Sequence, residues 1–183
     1  MKKDSLIHMS LTMFCRLFGY HLLALLAVLG VMVFLPGQMG AVVAQVFGFG
    51  IITLLPFMPA YQVGGRDSNK IRYGSAPYDR LKGLKAGFIA YSPFILASVF
   101  MIIAKLGIIS DGYLPFYRLI NAPFMPLMQA LMPTALTLNE ISTVNVILCA
   151  LTSVVAPISI ALGYWQGANR ISLSEEFASK KAE

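Results

Sequence analysis

Long apolar runs alternate with short polar stretches along the whole chain, and the run lengths set the first expectation. Residues 17–35 contain no charged side chain, and further apolar runs occupy 39–63, 84–109 and 141–165. A helix rises about 1.5 Å per residue, so about twenty residues cross the roughly 30 Å hydrocarbon core of a bilayer. The pattern predicts an all-α integral membrane protein, a single polytopic domain over 1–183 with four transmembrane helices. Pro36, Gly37 and Gln38 leave so short a link between the first two runs that they must form an antiparallel hairpin. The last two runs are read as a second hairpin.

The breaks between runs carry the finer expectations. Pro56 and Pro59 each remove a backbone donor from the second span and predict a kink whose freed carbonyls need partners on a neighbouring helix. Gly64 and Gly65 are expected to stop that span. The segment 64–83 then reads as a polar loop, with Lys70 to Tyr73 alternating as a short strand or extended stretch and Asp79 as a helix N-cap or first-turn acid. The outer segment 110–140 holds Pro115, Pro123, Pro126 and Pro133, too many for one spanning helix. One or two short helices are expected there, lying in the interface or re-entering the bundle. Thr137 and Glu140 have capping-box spacing and place the start of the last span just after them.

Composition agrees with lipid as the main solvent. The chain is 57% hydrophobic and only 12% charged, about half the charged fraction of an ordinary globular chain. Charge then orients it. The loop carries Arg66, Lys70, Arg72, Arg80 and Lys82, followed by Lys85, against Asp67 and Asp79, and short loops rich in Lys and Arg stay on the cytoplasmic side. Both termini fall on that side as well, which leaves only Lys105 and Arg118 of the fourteen Lys and Arg residues outside. The expected location is the plasma membrane of a bacterium, multi-pass, with both termini cytoplasmic. The net charge of +6 follows from this orientation and not from a nucleic-acid partner, because the cations flank apolar runs.

Candidate chemistry is sparse. Cys15 and Cys149 lie at different expected depths and cannot form a disulfide, and neither sits in a metal-binding spacing. No nucleophile, paired-acid or phosphate-loop signature occurs, so no catalytic residue, cofactor or metal is assigned. Gly83 and Gly87, and Gly163 and Gly167, make two small-residue strips suited to close helix contact, within the chain or with a partner. His21 is the ionisable group deepest in an apolar run, while Lys105 and Glu140 are expected to pair near the outer boundary. Gln45, Thr53, Asn145, Thr152, Ser153 and Ser159 would bond to carbonyls or line a polar path.

These features describe a small, non-catalytic membrane subunit or accessory protein that acts through its basic cytoplasmic loop. Arg66, Asp67, Arg72, Tyr73, Arg80, Lys82 and Lys85 are the expected contacts with anionic lipid head groups, a membrane or cytosolic protein, or a second copy of the chain. The alternative is a transporter or channel component for an ion or small solute. It would require Pro56, His21, Asn145 and Thr152 to converge on one cavity.

Overall fold

A computed structural model describes residues 6–75, 77, 79–110, 112–132 and 137–179, the last ten of these by their backbone only. Pro133 and the terminal charges Lys2, Lys3, Lys180 and Lys181 lie outside the described residues. Seven α-helices account for most of the rest: α1 (Leu6–Phe34), α2 (Gln38–Arg72), α3 (Lys82–Ala90), α4 (Ser92–Lys105), α5 (Tyr113–Ile120), α6 (Met125–Leu131) and α7 (Thr143–Ser179). Three-residue 3-10 turns at Ala122–Phe124 and Leu138–Glu140 complete the list, and no strand occurs among the described residues.

Three helices are long and apolar enough to cross a membrane: α1, α2 and the Thr143–Asn169 part of α7. Helices α3 and α4 satisfy the same criterion only when joined, and they bend by 66° at their junction. Thus the unbroken third span expected at 84–109 is not present. The physical cause is Pro93, which cannot donate to the carbonyl of Ile89; the Ser92 hydroxyl donates there instead, at 2.9 Å.

The α1–α2 hairpin forms as the short link requires, with Gly37 at φ +90, a conformation open to glycine without strain. Its helices are longer than the apolar runs alone suggest. α1 begins at Leu6, and α2 passes through Gly64 and Gly65 and remains helical to Arg72. These glycines do not stop the helix, and Lys70 to Arg72 are helical where a strand or extended stretch was expected. Pro56 and Pro59 both lie inside α2. The carbonyl of Thr53, next to the Ile52 carbonyl that Pro56 leaves without its helical donor, accepts from the Ser159 hydroxyl of α7.

α7 is the central helix. Of its most apolar stretch 56% is buried, against 22% for α1 and for α2, and it packs on α2, α3, α4 and α6. The closest and most extensive pairing is with α2. A stripe of Gly40, Ala44, Gly48, Ile52, Pro56, Ala60 and Gly64 is buried along α2, one residue in four, and its mostly small side chains let the helix backbones approach. The other faces of α1 and α2 expose Leu11, Phe18, Leu26, Val33, Val46 and Leu54, large apolar side chains that suit lipid and not water.

The proline-rich segment folds as α5, a 3-10 turn and α6, and that turn packs into the bundle. Phe124 is fully buried against the α1 side of the core, and the backbone of Leu127 donates to Gln45 Oε1 of α2 at 3.0 Å. Thr137 is extended and makes no side-chain cap, so the expected capping box does not start the last span; α7 starts at Thr143. Lys105 donates to the carbonyls of Leu138, Asn139 and Ile141, tying the 3-10 turn to α4 in place of the expected pair with Glu140.

Candidate functional site: the basic end of the bundle

Because α2 stays helical to Arg72, the residues expected in a loop are instead distributed around a helix. At 35 residues α2 is about 52 Å long, roughly 20 Å more than the thickness of a hydrocarbon core. One face of its last turns meets α3 and α7; the other faces outward.

The inward face holds Asp67, 6% exposed, whose Oδ2 takes two partners. Lys82 at the head of α3 lies 2.5 Å from it, and the Tyr164 hydroxyl of α7 donates to it at 3.1 Å. Three helices are therefore joined at one carboxylate oxygen. Asp67 and Lys82 belong to this internal clasp and not to an outer contact surface. Tyr164 is 1% exposed and serves the clasp. Its neighbour Trp165 is exposed.

The outward set is Arg66, Arg72, Tyr73, Arg80 and Lys85, all exposed. Lys85 makes a solvent-facing pair with Asp79 at 3.0 Å. The ammonium donates to the Asp79 carboxylate and holds its carboxyl below the usual range; the Leu81 amide, donating to Oδ1 at 2.9 Å, acts in the same direction. Asp79 stands three residues before the start of α3 and bonds two residues ahead, so it closes a turn and is not the N-cap, which is Leu81.

The glycine strips lie behind this surface, inside the fold. A Cβ on Gly163 or Gly167 would stand 2.4 or 2.0 Å from the carbonyl oxygens of Phe57 and Tyr61 in α2. Gly64 of α2 faces the backbone of Tyr164 and Ala168 equally closely. Gly83 and Gly87 of α3 press on Tyr164 and Pro157 of α7. Each pair thus serves a helix contact within the chain: Gly163 and Gly167 toward α2, Gly83 and Gly87 toward α7.

His21 marks a second, smaller grouping. Its Nε2 donates to the carbonyl of Ile120 at the end of α5, at 3.1 Å, and its ring lies against Phe94 at 4.3 Å between centroids. A cavity of about 380 Å³ beside it is lined by apolar groups such as Phe18, Leu25 and Pro123. Pro56, Asn145 and Thr152 do not line this cavity. Asn145 donates to Leu131 O, and Thr152 and Ser153 donate to carbonyls of their own helix, so the polar side chains of α7 are used in structure. Cys15 is exposed and Cys149 buried, and both are free thiols. No group of three His, Cys, Asp or Glu placed to hold a metal ion occurs among the described residues.

Comparison with family models, with curated proteins and with solved structures finds no match to this chain. The functional reading accordingly rests on the geometry of the basic end.

Proposed function

We propose that the chain is a multi-pass protein of the cytoplasmic membrane, a non-catalytic subunit that engages an anionic surface on a partner protein through its basic end. In this reading α3 and α4 together make one bent crossing, giving four spans with both termini in the cytoplasm. The positive-inside tendency supports that orientation. The observation that carries the reading is the separation of an internal ion-paired clasp from a set of exposed cations. Asp67 and Lys82 clasp α2, α3 and α7, while Arg66, Arg72, Arg80 and Lys85 with Tyr73 face outward from the stem so fixed. Arginine and tyrosine are the residue types that most often anchor protein contacts.

The transporter alternative has less support, because Pro56, His21, Asn145 and Thr152 have separate surroundings and do not share the cavity at His21.

Two experiments test the proposal. Single cysteines replacing Gln38, Tyr73 and Ile108 in a chain lacking Cys15 and Cys149 report sidedness with an impermeant maleimide. Positions 38 and 108 should label from outside and 73 only from inside; labelling of 108 and 73 from one side would remove the fourth crossing. For the contact itself, the full chain is purified in mild detergent beside an Arg72→Gln/Arg80→Gln/Lys85→Gln variant that inserts equally. A stoichiometric partner retained by the first and lost by the second is expected, and purification of the wild type without any partner would overturn the reading.

A further inference from the structure

At the basic end, α1, α2 and the first residue of α3 enclose a cleft of about 210 Å³ that shares only Arg66 with the outward-facing surface. Its polar lining is His8, Thr12 and Arg16 from α1, Arg66 from α2 and Lys82 from α3. Among the described residues no carboxylate lines it. His8, Thr12 and Arg16 recur every fourth residue and so share a helix face, which α1 turns toward Arg66.

Charge makes this cleft unusual. Lys82 is neutralised by Asp67, 2.5 Å away. Arg16 and Arg66 have no ion-pair partner among the described residues. Two guanidinium groups from different helices thus border one small cavity whose described lining holds no carboxylate, a mutual repulsion that a bound anion would reverse. Guanidinium groups match the oxygens of a phosphate in pairs, and Thr12 and Lys82 offer further donors.

The remaining wall identifies what carries the phosphate. Met13, Pro59 and Val63 line the same cleft. Arg16 directly precedes the uncharged run 17–35, and Arg66 follows the apolar run 39–63 by three residues. The cations therefore stand at the boundary where head groups meet hydrocarbon, with the apolar wall beside them. Basic pockets between membrane helices at this level suit anionic lipid head groups.

We propose that this cleft is a binding site for the phosphate of an anionic amphiphile, with Arg16 and Arg66 as its principal ligands and Met13, Pro59 and Val63 receiving the first carbons of the attached chain. The site rests on the reading that the basic end lies at a membrane surface, and it is separable from the protein contact, because of the outward-facing set only Arg66 lines the cleft and Arg72, Arg80 and Lys85 do not.

The test uses the full chain in non-ionic detergent, with phosphatidylglycerol, phosphatidylcholine and inorganic phosphate as probes, read by native mass spectrometry and by thermal unfolding. One phosphatidylglycerol per chain should be retained and should raise the unfolding temperature, with phosphatidylcholine at least tenfold weaker. Arg16→Gln/Arg66→Gln should weaken retention at least tenfold, whereas Arg72→Gln/Arg80→Gln, which removes the same charge outside the cleft, should not. Stabilisation of wild type but not of the Arg16/Arg66 variant by millimolar inorganic phosphate alone would keep the phosphate site and assign it to a soluble anion. Equal weakening by both double variants would reduce the effect to general surface attraction and overturn the site, as would the absence of binding by every probe. Arg16→Lys/Arg66→Lys preserves charge and should fold in every case; it is expected to bind with intermediate strength, and a failure of that order also counts against the assignment. Loss of the protein partner in the Arg72/Arg80/Lys85 variant with lipid retention intact separates the two proposals.

Discussion

Adjacent glycines in α2 should respond to alanine with opposite signs. A methyl on Gly64 would stand 2.2 Å from the carbonyl oxygen of Tyr164 and 2.8 Å from the amide nitrogen of Ala168. Ordinary contact begins near 3.4 Å, so the methyl must retreat by about 1.2 Å. Its neighbours are backbone atoms in the middle of a helix, which cannot swing aside as a side chain would. α2 and α7 must separate, and overpacking of this kind costs about 1–3 kcal/mol. The gain in helix propensity on replacing glycine by alanine, about 1 kcal/mol, offsets part of that. A net loss on the order of 1 kcal/mol is expected for Gly64→Ala. Gly65→Ala meets nothing closer than 3.9 Å and keeps the propensity gain, so it should be neutral or stabilising by up to about 1 kcal/mol. Gly167→Ala, 2.0 Å from Tyr61 O, should lose at least as much as Gly64→Ala. The assay is reversible unfolding in mixed micelles at increasing denaturing detergent, followed by the fluorescence of Trp165, the chain's one tryptophan. Equal midpoints for Gly64→Ala and Gly65→Ala would refute the close α2–α7 approach as a determinant of stability.

The clasp gives a second expectation. Asp67→Asn leaves Lys82 without its carboxylate in a largely buried setting and should destabilise by about 3 kcal/mol; Tyr164→Phe, which removes one hydrogen bond, should lose about 1 kcal/mol in the same assay. His21→Leu withdraws the donor from the Ile120 carbonyl, and a loss of about 1–3 kcal/mol should appear as faster hydrogen exchange across α5 and α6. The exposed Asp79–Lys85 pair is worth less than about 1 kcal/mol. Because the folded Asp79 carboxyl is held below its ordinary value of 3.8, its contribution is complete above that value and fades as pH falls through the lower folded one. The stability difference between wild type and Asp79→Asn should therefore be constant from pH 8 to 5 and shrink only in more acidic solution.

The all-helical fold, three membrane-length helices and the α1–α2 hairpin were legible because lipid-length apolar runs and a three-residue link leave few arrangements. Boundaries were not. Gly64 and Gly65 look like a stop when read locally, yet in α2 Gly64 continues a four-residue repeat of buried, mostly small residues that begins at Gly40. That repeat was present in the sequence and is the signal that would have extended the helix. Pro93 was equally visible and breaks α3 from α4, but apolar content around it concealed the break. The Thr137–Glu140 spacing failed for another reason: Lys105, 33 residues upstream of Leu138, takes over the carbonyls of that turn, a tertiary contact no local pattern encodes.

The same distinction governs the basic end. Charge counting found every cation there but could not say which faced inward, because that depends on the helical phase of residues 64–72 and on Tyr164, almost a hundred positions away. Once the phase is known, the roles follow from position. The clasp at Asp67 and the glycine contacts below it hold the ends of α2, α3 and α7 together, so the arginines outside stand on a stem that is ordered before anything binds. Ordering a flexible loop on contact would oppose association, by about 0.5–1.5 kcal/mol for each long side chain fixed and more for the backbone. A helical stem removes the backbone share of that penalty. Melting the stem, for example with Asp67→Asn, should then weaken partner binding even though Asp67 touches no partner, mainly by slowing productive encounter, whereas Arg72→Gln should act directly on the contact.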